Sequence, residues 1–523
     1  MSDTTDRAGG TTGGAASAGG DGAAVARADG GAVARADGGA IRSLIPARID
    51  RMRWAPFHTR MVAALGIAWV LDGMEITIAS AVAAVLTDKA TLGLSSTQAG
   101  AIATVYLLGE VFGALFFGRL SDALGRRNLF VVTLGVYLAG NALTALTWGN
   151  GAASLVFLYL SRFIAGAGIG GEYSAINSAI DEMMPARYRG RVDIGVNGTY
   201  WGGAVIGTLG TFVLLHRMSL GVGWRLGFLL GPIIGLAIWN LRRHLPESPR
   251  WLIVHGREEE AEASIAGIEE EVRAAGQELA AVDASQAIEI RPAPAHGYLS
   301  LLRVLFSRYP DRSTLAATLM ISQSFLYNAI FFTYTLVLTK FYGVSAANAP
   351  IYLIAFALGN LIGPLALGHL FDTIGRRRMI SGTYLISGVL LGVTAVLFDA
   401  GALNAITQTV AWCVIFFFAS AGASAAYLTA SELFPLEVRA QAIAVFFAIA
   451  QCFGAIGPIF YGWLIGAGDD PGKLFVGYLV GAVVMIIGGV VDLFLGVDAE
   501  GRSLEDVAPP LSAVSATRPR ATS

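Results

Sequence analysis

Charge is scarce in this chain: Asp, Glu, Lys and Arg make up 14% of its 523 residues against 54% hydrophobic residues, a balance that excludes an ordinary soluble protein. Cysteine and histidine are scarcer. The two cysteines, Cys413 and Cys452, both lie inside apolar runs and are read as small packing residues rather than a disulfide. The histidines, His58, His216, His244, His255, His296 and His369, lie at or beyond the ends of such runs without metal-ligand spacing, so no metal or other cofactor is expected. No G-x-x-x-x-G-K-[ST] loop occurs, which leaves ATP-driven pumping without support. The first 40 residues lack the apolar core of a signal peptide. They are rich in Gly and Ala, with AVARADGG written twice from Ala24 and Ala32, and are read as part of a disordered tail covering 1–54.

What the chain has instead is long apolar runs. A helix needs about 20 mostly apolar residues to cross a bilayer. Twelve candidates fall at 61–86, 97–117, 129–148, 152–178, 193–215, 224–243, 313–340, 350–370, 379–398, 404–428, 440–466 and 473–496. The net charge of -2 says nothing about partners and gives no reason to expect nucleic acid, but the placement of Lys and Arg is informative. Arg119, Arg126, Arg127, Arg187, Arg189, Arg191, Arg376, Arg377, Arg378 and Arg439 follow even-numbered spans, whereas Lys89, Arg217, Arg225, Lys340 and Lys473 follow odd-numbered ones. Positive residues stay on the cytoplasmic side, so both termini are expected in the cytoplasm of a multi-pass protein of the plasma or inner membrane.

One charged turn is written twice. GRLSDALGRR at 118–127 returns as GHLFDTIGRR at 368–377, an offset of 250 that also matches Gly109 and Gly113 to Gly359 and Gly363. The same offset carries Glu182, Pro185 and Arg189 onto Glu432, Pro435 and Arg439. Spans 1–6 and 7–12 are therefore two copies of one unit. The expected division is a tail at 1–54, one half at 55–243, a cytoplasmic linker at 244–312, a second half at 313–498 and a tail at 499–523. Residues 257–282 of the linker, rich in Glu and Ala, read as a solvated surface helix. GAGIGG at 166–171 fits G-x-G-x-x-G, yet no strand precedes it. Glycines so placed in an apolar helix let two membrane helices approach closely.

The doubled G-x-x-x-D-x-x-G-R-R turn, Arg162 followed by GAGIGG, PESPRWL at 246–252 and SELFPLEVR at 431–439 together resemble the major facilitator superfamily, over roughly residues 55–506. Within it the motifs are most similar to the sugar-porter group and its metabolite–proton symporter relatives. The implied fold is all-α, twelve transmembrane helices in two pseudo-symmetric halves with the substrate between them. The sequence departs from the sugar-porter pattern at VDAEG, 497–501, and at SQSFLYN, 322–328, where only Gln323 and Asn328 of the family's polar set remain, so hexose recognition does not follow. The resemblance also implies a cytoplasmic gate in which Asp122, Arg126, Arg127, Asp372, Arg376 and Arg377 of the two turns, with Arg189 and Arg439, lock to Glu182, Glu432 and Glu247.

Ionisable residues inside a membrane cost at least about 2.5 to 3.5 kcal/mol each at a helix centre, so they need a reason. The first half holds Asp72, Glu75, Glu110, Arg162 and Glu172, and the offset of 250 places Ser322, Phe325, Asn360, Trp412 and Gly422 opposite them. Charge is thus expected in one half only. Asp72 and Glu75, three apart, share one helix face, and with Glu110 and Arg162 they are the candidate proton-coupling set. The neutral Asn197, Gln323, Asn328, Asn360 and Trp412 are the candidate substrate-binding set. The expected function is a non-enzymatic, monomeric secondary transporter that moves a sugar-like molecule or an organic acid with a proton. An uncoupled facilitator, an aromatic- or organic-acid symporter suggested by DGME at 72–75, and a transporter-like membrane sensor stand as alternatives.

Overall fold

The computed structural model describes residues 33–35, 41–242, 246–283, 287–290, 298–434, 436–468 and 470–497. Its first half comprises α2 (Pro56–Leu86), α3 (Ser96–Leu124), α4 (Arg126–Ala145), α5 (Ala152–Met183), α6 (Ala186–Arg217) and α7 (Leu220–Arg242). The second comprises α11 (Pro310–Tyr342), α12 (Ala349–Thr373), α13 (Arg376–Asp399), α14 (Ala405–Glu432), α15 (Leu436–Ile465) and α16 (Pro471–Leu495). The repeat is visible in the helix starts: α4 and α13 begin at Arg126 and Arg376, α6 and α15 at Ala186 and Leu436, both 250 apart. Among the described residues ten helices are long and apolar enough to cross a membrane, and α7 adds a shorter apolar stretch, Leu220–Leu236. The first turns of α6 carry Arg187, Arg189, Arg191 and Asp193, which dilute its hydropathy. Large apolar side chains such as Leu365 and Phe494 point outward, as a lipid-facing surface requires.

Packing inside each half follows the same scheme, α3 and α4 against α5, and α12 and α13 against α14. The glycines of α5 explain how closely α3 lies. A Cβ at Gly166 would fall 2.0 Å from the Tyr106 carbonyl oxygen, and one at Gly170 2.0 Å from that of Glu110. From the other side, a Cβ at Gly113 would meet the Ala167 carbonyl at 2.0 Å. The glycine run of α5 is therefore a helix contact, as its setting in an apolar helix suggests.

Outside the bundle lie α1 (Ile45–Asp50), α8 (Pro249–Val254), α9 (Glu258–Ala274) and α10 (Tyr298–Arg308). Three short strands, β1 (Val33–Arg35), β2 (Ile41–Ser43) and β3 (Ile288–Ile290), form an antiparallel sheet in that order. The sheet and α1 correct the expectation that 1–54 is a disordered tail, since its described residues 33–35 and 41–54 are ordered against the linker. The reason is chemical complementarity. Ile45 and Ile49 are buried on one side of α1, and Arg48 between them donates from Nε to Glu269 at 2.9 Å and from Nη1 to Glu262 at 2.5 Å. Nor is α9 a solvated helix all round: Ala261, Ile265, Ile268, Glu269 and Val272 form a buried face in a small core with Trp251, Ile49 and Met61.

Two predictions arise from this packing. Gly170→Val should push α5 off α3 and destabilise the bundle by about 2–3 kcal/mol, read as a lower melting temperature of the purified protein; an unchanged melt would contradict the close contact. At the clasp, burial pushes the Glu269 carboxyl up, but hydrogen bonds from Arg48 and Arg51 outweigh it and hold the group below the ordinary carboxylate value. A depressed folded value contributes stability above the unfolded value and loses it as pH falls through the folded one. A spin label at Arg53 should therefore become mobile below about pH 4. In Arg48→Ala it should be mobile at neutral pH as well.

Candidate functional site

The polar centre is built on Arg162 of α5, a guanidinium with no solvent exposure. Its Nη1 donates to Glu75 of α2 and, at 3.0 Å, to the amide oxygen of Asn141 on α4. The face of the guanidinium lies over the Tyr106 ring at 4.4 Å and the Phe228 ring at 4.9 Å, a cation sandwiched by aromatics on α3 and α7. Among the described residues Nε and Nη2 have no hydrogen-bond partner, while Tyr137 of α4 stands beside Glu75. Five helices thus converge on one charge, and the close α3–α5 contact sets their spacing.

The structure brings all four predicted coupling residues into the interior: Glu75 is fully buried, Glu110 is 2% exposed and Asp72 3%. Asp72 acts electrostatically on Glu110 and on Tyr106. Glu110 faces the second half, where Gln451 of α15 donates from Nε2 to Glu110 Oε2 at 2.7 Å. The Gln451 oxygen accepts from Ser324 Oγ at 2.6 Å and from Asn328 Nδ2 at 3.4 Å, and Asn328 also donates to Ser324 Oγ at 3.2 Å. Of the second-half candidates, Asn328 joins this network and Gln323 is half-buried beside it on α11.

Asn360 and Trp412 stand apart from this network. Asn360 is fully buried and donates to the Phe356 carbonyl of its own helix at 3.0 Å. Trp412 is fully buried too, with the Tyr334 ring 4.6 Å away and Tyr478 at 6.5 Å, so its ring is a core element of the second half rather than an exposed platform. The offset that aligns them with Glu110 and Arg162 preserves depth and burial. It does not preserve chemistry. The Asn197 side chain lies outside the described residues.

Of the gate candidates, the side chains of Asp122, Arg126, Arg189, Asp372, Glu432 and Arg439 also lie outside the described residues. Glu247 is seen at the first turn of α4, where its oxygens accept the Arg127 backbone N–H at 3.2 and 3.4 Å and the Ser248 N–H at 3.1 Å. An anion at a helix N-terminus satisfies orphan donors and the helix dipole. Gly125, at φ +84°, is favoured there by its left-handed backbone, and a Cβ would also displace the Glu247 carboxylate. Its counterpart Gly375 has φ +111°, and Arg377 beyond it donates from Nε to the Leu493 carbonyl at 3.1 Å.

Several residues escaped the sequence reading. Gln451 is an amide in the eleventh apolar run, and Asn141 one in the third; both could have been found by scanning the runs for amides as well as charges. Asp492 corrects the expectation of charge in one half only. It is fully buried on α16 and accepts from Ser381 Oγ at 2.7 Å. Cys413 and Cys452 are free, and Cys452 is exposed rather than packed. No cluster of His, Cys, Asp or Glu suited to a metal occurs among the described residues.

Two six-helix halves meeting around buried charges define a multi-pass membrane transporter of the major facilitator fold. The model of the family "Sugar (and other) transporter" matches residues 66–510, and the chain belongs to that family. It is similar to the niacin transporter NiaP of Acinetobacter baylyi, 25% identical over 464 residues that cover 88% of this chain and 99% of that protein. The glucose transporter GlcP of Staphylococcus epidermidis is 25% identical over 424 residues, 79% of this chain and 89% of that one. Among solved structures, a D-xylose–proton symporter superposes with a TM-score of 0.67 at 17% identity, covering 86% of this chain and 100% of that one. An inward open conformation of the xylose transporter XylE from Escherichia coli gives 0.66 at 18% identity, covering 86% and 98%. The chain is thus a secondary transporter of small metabolites.

Removing one partner of a buried ion pair strands the other. Glu75→Ala or Arg162→Ala should each cost about 3–5 kcal/mol in thermal or denaturant melts. The double variant Glu75→Ala with Arg162→Met should recover much of that loss, and additive losses would show that the two side chains do not act as a pair.

Proposed function

We propose that the protein is a proton-coupled symporter that carries a small polar organic metabolite across the plasma or inner membrane by alternating access. The observation that carries this reading is the Arg162–Glu75 pair, fully buried and flanked by Asp72 and Glu110 at the seam between the halves. Such a group of charges costs several kcal/mol in a membrane, and a carboxylate that gains and loses a proton during transport gives it a task. One proton driven by 100 mV supplies about 2.3 kcal/mol, roughly a fortyfold gradient of substrate.

The arginine-rich turns orient the chain with both termini in the cytoplasm. The halves touch at the opposite end, where Ser80 donates to the Phe331 carbonyl at 2.5 Å, Thr335 donates to the Ser80 carbonyl at 2.6 Å and His216 Nε2 lies 3.0 Å from Asn348 Oδ1. That end is then extracellular, and the arrangement is closed to the outside. Asp72, Glu75 and Glu110 carry the proton side of the cycle, with Gln323, Asn328 and Asn197 on the substrate side. A second reading, an aromatic- or organic-acid symporter, is favoured by the unpartnered Nε and Nη2 of Arg162, which would receive a carboxylate. The family match and the niacin and glucose relatives support a small polar cargo and leave sugar and acid as the two classes to separate.

The test is uptake of radiolabelled nicotinate, D-xylose and D-glucose into proteoliposomes with an imposed proton gradient. Asp72→Asn, Glu75→Gln or both should abolish accumulation while counterflow survives, because exchange needs only the loaded carrier to reorient. Arg162→Ala should damage both modes. Accumulation with a wild-type response to the proton gradient in both amide variants would remove Asp72 and Glu75 from the coupling set, and uptake that ignores the proton gradient in the wild type would leave a facilitator or a sodium-linked carrier as the better account.

A further inference from the structure

The seam between α3 and α15 is closed by three hydrogen bonds at increasing depth. Ser96 Oγ donates to the Gly466 carbonyl at 2.5 Å, Thr104 Oγ1 to the Ala455 carbonyl at 2.6 Å, and Gln451 Nε2 to Glu110 Oε2 at 2.7 Å. Between them the backbones touch: a Cβ at Gly100 would lie 2.1 Å from the Pro458 carbonyl oxygen, and one at Gly462 2.5 Å from that of Ser96. The first two bonds join a hydroxyl to a carbonyl and are indifferent to pH. The third and deepest ends on a carboxyl group.

We propose that the Glu110–Gln451 bond is a proton-dependent tie between the halves, through which Gln451 transmits the charge state of Glu110 to Ser324 and Asn328. This rests on the symport reading and names the residue that links its two sides. The direction of the bonds supports it. An amide NH2 only donates and an amide oxygen only accepts, so the chain Asn328 to Ser324 to Gln451 to Glu110 points every donor toward the carboxylate. A negative charge at the end of such a chain strengthens each bond in it, and neutralising the charge weakens them together.

The groups facing Glu110 fit that role. From α2, Asp72 opposes its charge; from α5, Arg162 favours it but is already engaged by Glu75; and Tyr106 stands on α3 itself. Tyr137 of α4 acts on Glu75, Tyr200 of α6 interacts with Glu110, and α15 and α11 contribute the neutral Gln451, Ser324 and Asn328. A proton arriving at Glu110 therefore loosens the deepest bond of the seam that closes the end the symport reading places outside, which is the end a proton-driven importer must open to load.

The experiment needs no substrate. Spin labels replace the exposed Lys89 and Ser345, at the closed ends of α2 and α11, in a background with Cys413 and Cys452 changed to Ala. Pulsed electron resonance then reads the closed-to-open ratio in lipid nanodiscs from pH 8 to pH 5. The wild type should lose about fivefold in that ratio as Glu110 protonates. Glu110→Gln and, independently, Gln451→Leu should hold the low-pH ratio at every pH, while Asp72→Asn should still titrate with a displaced midpoint. A wild-type pH response in either Glu110→Gln or Gln451→Leu would overturn the tie, as would loss of the response in Asp72→Asn alone. Because no flux is measured, absent proton coupling in vesicles together with an intact Glu110-dependent titration would sink the symport reading and leave the tie standing.

Discussion

The arrangement of the first half depends on one buried cation. Every group around the buried Arg162 guanidinium must either neutralise it or tolerate it. Glu75 neutralises it, Asn141 shares its Nη1, and Tyr106 and Phe228 present their faces to its plane. These partners come from α2, α4, α3 and α7, so the requirement to satisfy one guanidinium fixes the relative position of most of the half. It also limits the other acids. With Glu75 committed to Arg162, Asp72 and Glu110 act on one another in a low-dielectric interior, the situation on which the proposed proton coupling draws.

The glycine run on α5 is what lets Arg162 be so placed. With carbonyl oxygens of α3 about where a Cβ would stand at Gly166 and Gly170, α3 and α5 approach closely along several turns. Glu110 is one of the α3 residues whose backbone makes that contact, so its side chain is held on a rigid base and aimed across the seam. Close packing, rather than a flexible loop, supplies the precision of the site.

The fold was legible because membrane helices obey a composition rule and because the chain repeats itself. The offset read from Gly125-Arg126-Arg127 and its copy predicts the starts of α13 and α15 from those of α4 and α6. The acids and Arg162 stood out because charge is rare in apolar runs. Gln451 did not, since a single amide carries no comparable cost and its partner lies 341 positions away. Trp412, opposite Arg162 in the repeat, was legible by position alone, and its packing against Tyr334 and Tyr478 was not, since those partners come from other helices. The clasp at Arg48 was illegible because a short basic turn after a Gly/Ala-rich stretch acquires meaning only once Glu262 and Glu269 are seen on one face of α9.

The two ends of the molecule are held by different chemistry, and the difference fits a carrier that must open them in turn. At the Leu86 end the halves meet through small residues, hydroxyls and backbone carbonyls, contacts that salt does not screen and that give way only as a set. The turn end is organised by ions: Glu247 on the first turn of α4 and Arg377 on the Leu493 carbonyl. Partly exposed ionic contacts reorganise with little cost, each partner finding water as it leaves the other. Between the two ends, Glu110 and Gln451 form a contact of intermediate character, charged on one side and neutral on the other. A bond of that kind can belong to the rigid seam when the carboxylate is ionised and to the yielding state when it is not.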